Sequence, residues 1–284
     1  MWPVLDAGPA LQPAAAGDFD ALLALRIRAM QPSLQALGRF EPERARERFA
    51  ATFAAEHMHH VVVAGRRVGC VSLRPKPAAL RIDHFYIEPD AQGRGVGAWV
   101  MDSACSLADL RQQPLELAAL QRSDANRFYL RHGFAEIGRS DFDIEYRRAP
   151  AADPLQAVRA LWACVQARDW KAARQLLHDD LQVQWWASGE TIVDADTFIA
   201  VNAEYPEGWT IQLVNVAAMQ DGRVLSMARV DHPPAHFLVQ SCARVRSGRV
   251  ARLEELWATC EAPPPWRHGA RFPGLHRSAD WAAA

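Results

Sequence analysis

The chain has 284 residues, half of them hydrophobic, which suits two ordinary domains with real cores. A formal net charge of −1 and the lack of a polybasic run exclude a dedicated nucleic-acid binder, and no apolar run reaches the ~18–20 residues of a membrane span. Cys70, Cys105, Cys164, Cys242 and Cys260 are scattered, with no C-x-x-C pair. That argues against a disulfide frame or a metal site and for a reducing cytoplasm. The first residues lack the basic start and apolar run of a secretory signal, so a cytoplasmic location is expected. Lys76 and Lys171 are the only lysines among many arginines, as in a GC-rich bacterial gene.

In chain order, "DFDALLALRIRAM" has helical spacing with Asp18 as a candidate N-cap, and "EPERARERFAATFA" predicts a second helix. "HHVVVAG" and "VGCVSLR" read as a hairpin-like pair, and "LRIDHFYI" as one further strand. A glycine-rich turn, "QGRGVG", then opens a helix whose stripe is Val96, Val100, Ala104, Leu107 and Leu110. "LELAAL" predicts a strand. "SDANRFYLRHG" predicts a short helix capped by Ser123 or Asp124 and stopped at Gly133, and two strands follow. The order is that of a mixed α/β domain. Two prolines in "RRAPAADPLQ", 147–156, mark a linker, which gives domains of 1–148 and 149–284.

The glycine turn fits neither a nucleoside-triphosphate loop nor a dinucleotide fingerprint. No Lys-Ser/Thr pair follows Gly97, and Ala98 stands where a third glycine would be needed. It does fit Q/R-x-x-G-x-G/A across Gln92, Gly93, Arg94, Gly95, Val96 and Gly97. Such a turn at a helix start directs backbone N–H groups and the positive end of the helix dipole at an anion, as a pyrophosphate requires.

With "FYIEPDAQGRGVGAWV" and "NRFYLRHGF", residues 10–148 resemble the GNAT superfamily of N-acetyltransferases. The resemblance implies acetyl-coenzyme A as cofactor. It implies contacts from Phe85, Tyr86, Ile87, Gln92, Gly93, Arg94, Gly95, Val96, Gly97, Ala98 and Asn126, with the pantetheine arm in a splay between the "HFYI" strand and "LELAAL". It also places Tyr129 near the sulfur, where a phenol can protonate the leaving thiolate. Asn126 and Tyr129, three apart on a helix, share a face. Asp83 is the leading candidate for the base that deprotonates the amine, because alternation puts it on the face of Phe85 and Ile87. Glu116 and His84 are further candidates. The glutamate of the histone-modifying branch aligns with Arg81. Arg28, Gln31 and Arg39 are candidates to meet an acidic substrate.

From Asp153 the text predicts helices over "DPLQAVRALWACVQARD" and "DWKAARQLLHDD", the strand "LQVQWWAS", and a helix over "DADTFIAVNAEYP". Two hairpins follow, turning at Asp221-Gly222 and Ser247-Gly248. Three helices on a curved antiparallel sheet make an α+β cone. Through "VRSGRVARLEELWA" and "YPEGW", residues 153–268 resemble the SnoaL-like, nuclear-transport-factor-like superfamily, which holds cyclases and isomerases as well as binding and dimerisation modules. Trp185, Trp186, Asn202, Tyr205, Trp209, His232 and Trp257 are candidate cavity residues, with His236 and Glu254 beside them. Alternation puts Glu254, Leu256 and Ala258 on one face and Glu255 and Trp257 on the other, and one face alone can be inside.

The expectation is an acetyl-coenzyme A-dependent N-acetyltransferase for a small-molecule amine, with an accessory ligand-binding or dimerising cone and no metal, nucleic-acid or membrane partner. The alternatives are a non-catalytic acyl-coenzyme A sensor, and an isomerase or cyclase in the cone beside a vestigial acetyltransferase. A homodimer is left open.

Overall fold

The structure is a computed structural model that describes residues 8–36, 41–267, 272 and 274–276, with backbone alone at 32–36. The first half runs β1 (Ala10–Pro13), α1 (Phe19–Ala36), α2 (Pro42–Ala50), β2 (Met58–Val63), β3 (Arg66–Ser72), β4 (Arg74–Lys76), β5 (Ala79–Ile82) and β6 (Phe85–Ile87). It continues through α3 (Val96–Leu110), β7 (Leu115–Leu120), α4 (Ala125–Arg131), β8 (Ala135–Arg139) and β9 (Asp143–Arg148). The mixed α/β architecture is as expected, but its strands form two sheets. One has the order β1-β2-β3-β6, the other β4-β5-β7-β9-β8. The apolar face of α3, with Val96, Val100, Met101 and Ala104, packs into the core that joins them.

The strand expected over "LRIDHFYI" is broken. β5 pairs in parallel with β7 as far as Ile82–Leu117, and β6 then pairs with β3 in the other sheet. The break is held by Ser72, whose Oγ accepts from the N–H of both Asp83 and His84 at 3.1 and 2.9 Å. Gly69 is needed where β3 meets β6, since a Cβ there would lie 2.6 Å from the Tyr86 carbonyl oxygen. Asp18 is not a simple helix cap. It lies in a short 3₁₀ turn, and its carboxylate takes the Ala15 N–H, His60 Nε2 and an Arg67 N–H, tying the start of α1 to β2 and β3.

The second half runs α5 (Pro154–Gln166), α6 (Trp170–Gln175), β10 (Leu177–Trp185), β11 (Glu190–Ile192) and α7 (Ala195–Glu204). It ends with β12 (Thr210–Ala218), β13 (Val224–His232), β14 (Ala235–Arg246) and β15 (Arg249–Thr259). The sheet order is β11-β10-β15-β14-β13-β12, with one parallel pair, β10 on β15. Asp153 caps α5 by accepting the Leu155 N–H, with Pro154 first in the helix. The second helix is shorter than expected. Its tail "LHDD" is strand β10, because Leu177 and Leu181 are fully buried on the sheet.

The outer face of α3 is covered by the cone. Ser106 Oγ donates to the Val245 carbonyl at 2.7 Å, Arg244 donates to Ser103 Oγ at 2.7 Å and stands over the Trp99 ring, and Leu110 packs into the cone's core. Gly222, with φ of 83°, seats the β12–β13 turn on α3, where a Cβ would lie 2.9 Å from the Ser103 carbonyl oxygen.

Candidate active site and cone cavity

The break at Asp83-His84 opens a fork. On the β3 side, Ser72 N–H bonds the His84 carbonyl and Glu88 N–H bonds the Val68 carbonyl, both at 2.8 Å. Antiparallel alternation therefore turns the N–H and C=O of Phe85 and Ile87 to the opposite edge, toward β7. β7 past Leu117 has left β5 and pairs with β9 on its far side. The fork thus offers strand-like hydrogen-bonding groups to an extended chain, as the expected pantetheine arm requires.

At the mouth of the fork lies the glycine turn. Gly93 and Gly95 have φ of 72° and 79°, and a Cβ on either would point into open space. α3 starts with no side-chain cap at Gly95 and no acidic residue in its first turn. The N–H groups of Val96, Gly97 and Ala98 precede the first helical bond, Trp99 N–H to Gly95 O, so they are free for an anion at the positive helix end. These residues fit a pyrophosphate. Gly97 differs from its neighbours, since its Cβ would touch the Phe85 and Phe128 rings at ordinary distances. Gln92 is exposed, and its amide donates to the Ile87 carbonyl at 2.9 Å, tying the turn to β6. Arg94 is exposed beside it.

α4 flanks the fork. Ser123 supplies the cap bond to Ala125 N–H, and Gly133 ends the helix with φ of 80°. Tyr129 is buried among Phe128, Phe134 and Tyr146, and its hydroxyl has no hydrogen-bond partner among the described residues. Burial raises its pKa, and the neighbouring Tyr86 and Tyr146 add to the shift, so it is a proton donor at neutral pH. Asn126 shares the helix but has an internal role. Its Nδ2 donates to the Leu120 and Ser123 carbonyls, and its Oδ1 accepts from Tyr146 Oη, which locks α4 onto β7 and β9.

The other sequence candidates separate. Asp83 leaves the face of Phe85 and Ile87 at the break, and its carboxylate is held by Arg74 at 2.7 Å and Arg81 at 3.4 Å. Glu116 faces Arg147 at 3.7 Å. His84 is buried, with Nε2 at Thr52 Oγ1 and Nδ1 3.4 Å from Tyr86 Oη. Burial lowers its pKa to about 4, and the nearby Arg26 charge adds to the shift. Burial pushes Tyr86 up to about 12. Arg28 pairs with Glu88 at 2.6 Å, Gln31 lies on α1, and Arg39 falls outside the described residues.

In the cone, the concave sheet face and α5 and α7 enclose a cavity of about 390 Å³. Of the sequence candidates, Trp185, Asn202, Tyr205, Trp209 and Trp257 line it. Trp186 does not, being turned out and 40% exposed. Nor does His232, which meets Tyr205 Oη and the Glu207 carbonyl outside the cavity wall. Glu254 pairs with Arg223 and Arg252, and His236 with Asp231, both off the cavity face. The inner face of β15 is that of Leu253, Glu255 and Trp257. Glu255, which the sequence left as one of two choices, is buried at 4% exposure. It accepts Ser241 Oγ–H on Oε1 at 2.7 Å, and the Trp185 and Trp257 indole N–H groups on Oε2 at 2.9 and 3.3 Å. Burial nonetheless raises its pKa.

Residues 56–136 match the family profile described as an acetyltransferase (GNAT) domain. No curated protein matches the chain. Among solved structures, the chain is similar to the PaiA N-acetyltransferase of Thermoplasma acidophilum in complex with coenzyme A, with 11% identity, 50% of this chain and 99% of that one covered, and a TM-score of 0.43. It is similar also to an NTF-2-like protein of unknown function from Burkholderia xenovorans, with 17% identity, 43% and 93% covered and a TM-score of 0.38. A third is an LEH-like epoxide hydrolase of M. tuberculosis, with 18% identity, 37% and 82% covered and a TM-score of 0.33. No helix of the described residues is long and apolar enough to cross a membrane. A domain that is GNAT-like over its matched residues is thus followed by a curved, largely antiparallel sheet with three helices.

Proposed function

We propose that the first domain transfers an acetyl group from acetyl-coenzyme A to the amine of a small molecule. The fork carries this reading: Phe85 and Ile87 turn backbone groups away from β3, toward a β7 that has separated from them. The uncapped start of α3 supplies N–H groups for the pyrophosphate at one end of this groove. Acetyl-coenzyme A would supply the activated acyl group and a thiolate leaving group. Tyr129 Oη, neutral and without an internal partner, gives its proton to the departing sulfur.

No group of high basicity stands ready for the amine. Asp83 is committed to two guanidinium groups, and His84 has too low a pKa to hold an ammonium proton. The amine therefore reacts as the neutral species, having lost its proton to water. Amine-dependent thiol release from acetyl-coenzyme A, screened over a panel of primary amines, tests the reading. Release with at least one amine supports it. Coenzyme A binding without release for any amine would favour the sensor reading instead.

A further inference from the structure

The Glu255 carboxyl lies in the wall of the cone cavity, and its three partners are all neutral donors. Among the described residues the wall holds no lysine, arginine or histidine, and Glu255 is its one carboxyl group. A buried carboxyl is normally paired with a cation or kept neutral, because the bare ion is costly away from water. Here the donors are arranged for an anion. Two indole N–H groups can only donate, so Oε2 is an acceptor twice over. Beyond these donors lies an apolar space, not a counter-ion.

We propose that the cone is a receptor for a hydrophobic amine, bound as its cation with the ammonium on Glu255 and the apolar body among the tryptophans. The wall suits both parts of such a ligand. Trp162, Trp185, Trp209 and Trp257 present indoles to the cavity, and aromatic faces attract cations as well as apolar groups. Trp162 has its N–H on Ser226 Oγ at 3.0 Å, so its polar edge is already satisfied. Asn202 donates from Nδ2 to the Phe198 carbonyl, which leaves its Oδ1 as a second acceptor for an ammonium. A volume of about 390 Å³ admits a bicyclic aromatic amine. Tyr205 and Val201, both on the wall and 44% and 42% exposed, mark the rim through which it enters. This site is separate from the fork, and the proposal holds whether or not the first domain transfers an acetyl group.

Three probes of one shape and different charge test it, by calorimetry on the full chain without acetyl-coenzyme A: naphthylethylamine, naphthylethanol and naphthylacetate. The amine should bind at least about tenfold more tightly than the alcohol, and the carboxylate most weakly. Glu255→Gln keeps an acceptor for the indoles and gives Ser241 a partner. It should bring the amine to within about twofold of the alcohol, with the alcohol itself unchanged. An alcohol that binds the parent as well as the amine does would overturn the proposal, as would an amine preference that survives Glu255→Gln. If that variant does not fold, Val201→Trp at the exposed rim replaces it. Blocked amine binding then supports the proposal, and unchanged amine affinity overturns it.

Discussion

Asp109 and Arg148 hold each other by two hydrogen bonds, at 2.7 and 3.0 Å, and both side chains are almost fully buried. Asp109 Oδ1 also accepts the Ala151 N–H, and Gln112 donates to the Ala151 carbonyl, so the segment between the halves is fastened to the end of α3. Its proline and alanine content reads as a loose linker, yet its backbone is held. Limited proteolysis should therefore spare 147–156 in the parent. Asp109→Ala leaves Arg148 buried without its partner and should cost about 3–5 kcal/mol, measured by denaturant melts, and should expose the segment to cleavage. Parent protein cut there readily would contradict this.

His84 sets an acid limb of stability. Its pKa falls from 6.5 in the unfolded chain to about 4 in the fold, through burial and the Arg26 charge, with Arg74 adding to the shift and Asp83 and Thr52 opposing it. The neutral form is the one the fold accepts. Its contribution is complete above pH 6.5 and is lost as pH falls from 6.5 through 4. The whole span is worth about 3 kcal/mol. His84→Gln should flatten the stability profile between pH 7 and 4 by that order, and an unchanged profile would show that another group drives the limb.

Tyr129→Phe keeps the ring in its cluster and removes the hydroxyl. With an accepted amine, kcat should fall about 10²–10⁴-fold, while coenzyme A affinity stays near that of the parent, because the proton matters as charge develops on sulfur. Turnover within about twofold of the parent would transfer the acid role to water.

Asp83→Asn separates structure from catalysis. The loss of a charge shared by Arg74 and Arg81 should destabilise the fold by about 1–3 kcal/mol. Turnover at saturating amine should stay within about threefold, since the carboxylate is not a free base. In both proteins the rate should rise with pH until the amine itself is neutral. A large rate loss confined to low pH in Asp83→Asn would restore it as the base.

Much of this was legible from local signals. The glycine turn, the capped start of α5 and the two-residue turn at Ser247-Gly248 are written in neighbouring residues, and they stand where expected. What was hidden depends on partners far along the chain. "LRIDHFYI" reads as one strand, because nothing local tells that Ser72 will take two successive N–H groups and divide it. Asn126 reads locally as a cofactor contact, and nothing nearby tells that its amide will also meet the Leu120 carbonyl and Tyr146 Oη. "LHDD" kept a helical period, although Leu177 is drawn onto the sheet. Alternation along β15 paired Glu255 with Trp257, but which face looked inward was set by α5 and α7 closing over it.

The central claim is that the open start of α3 receives a pyrophosphate, and Gly95 is the place to test it. Gly95→Asn and Gly95→Asp impose the same left-handed backbone on residues that tolerate it comparatively well, so they differ in charge and little else. An aspartate there would meet two phosphate charges at a site where one pair at close range is worth on the order of a few kcal/mol. Calorimetric titration with coenzyme A should show Gly95→Asp binding at least about tenfold more weakly than Gly95→Asn, with similar melting temperatures for the two. Equal affinities in two folded variants would contradict the account, since no phosphate could then lie at this turn.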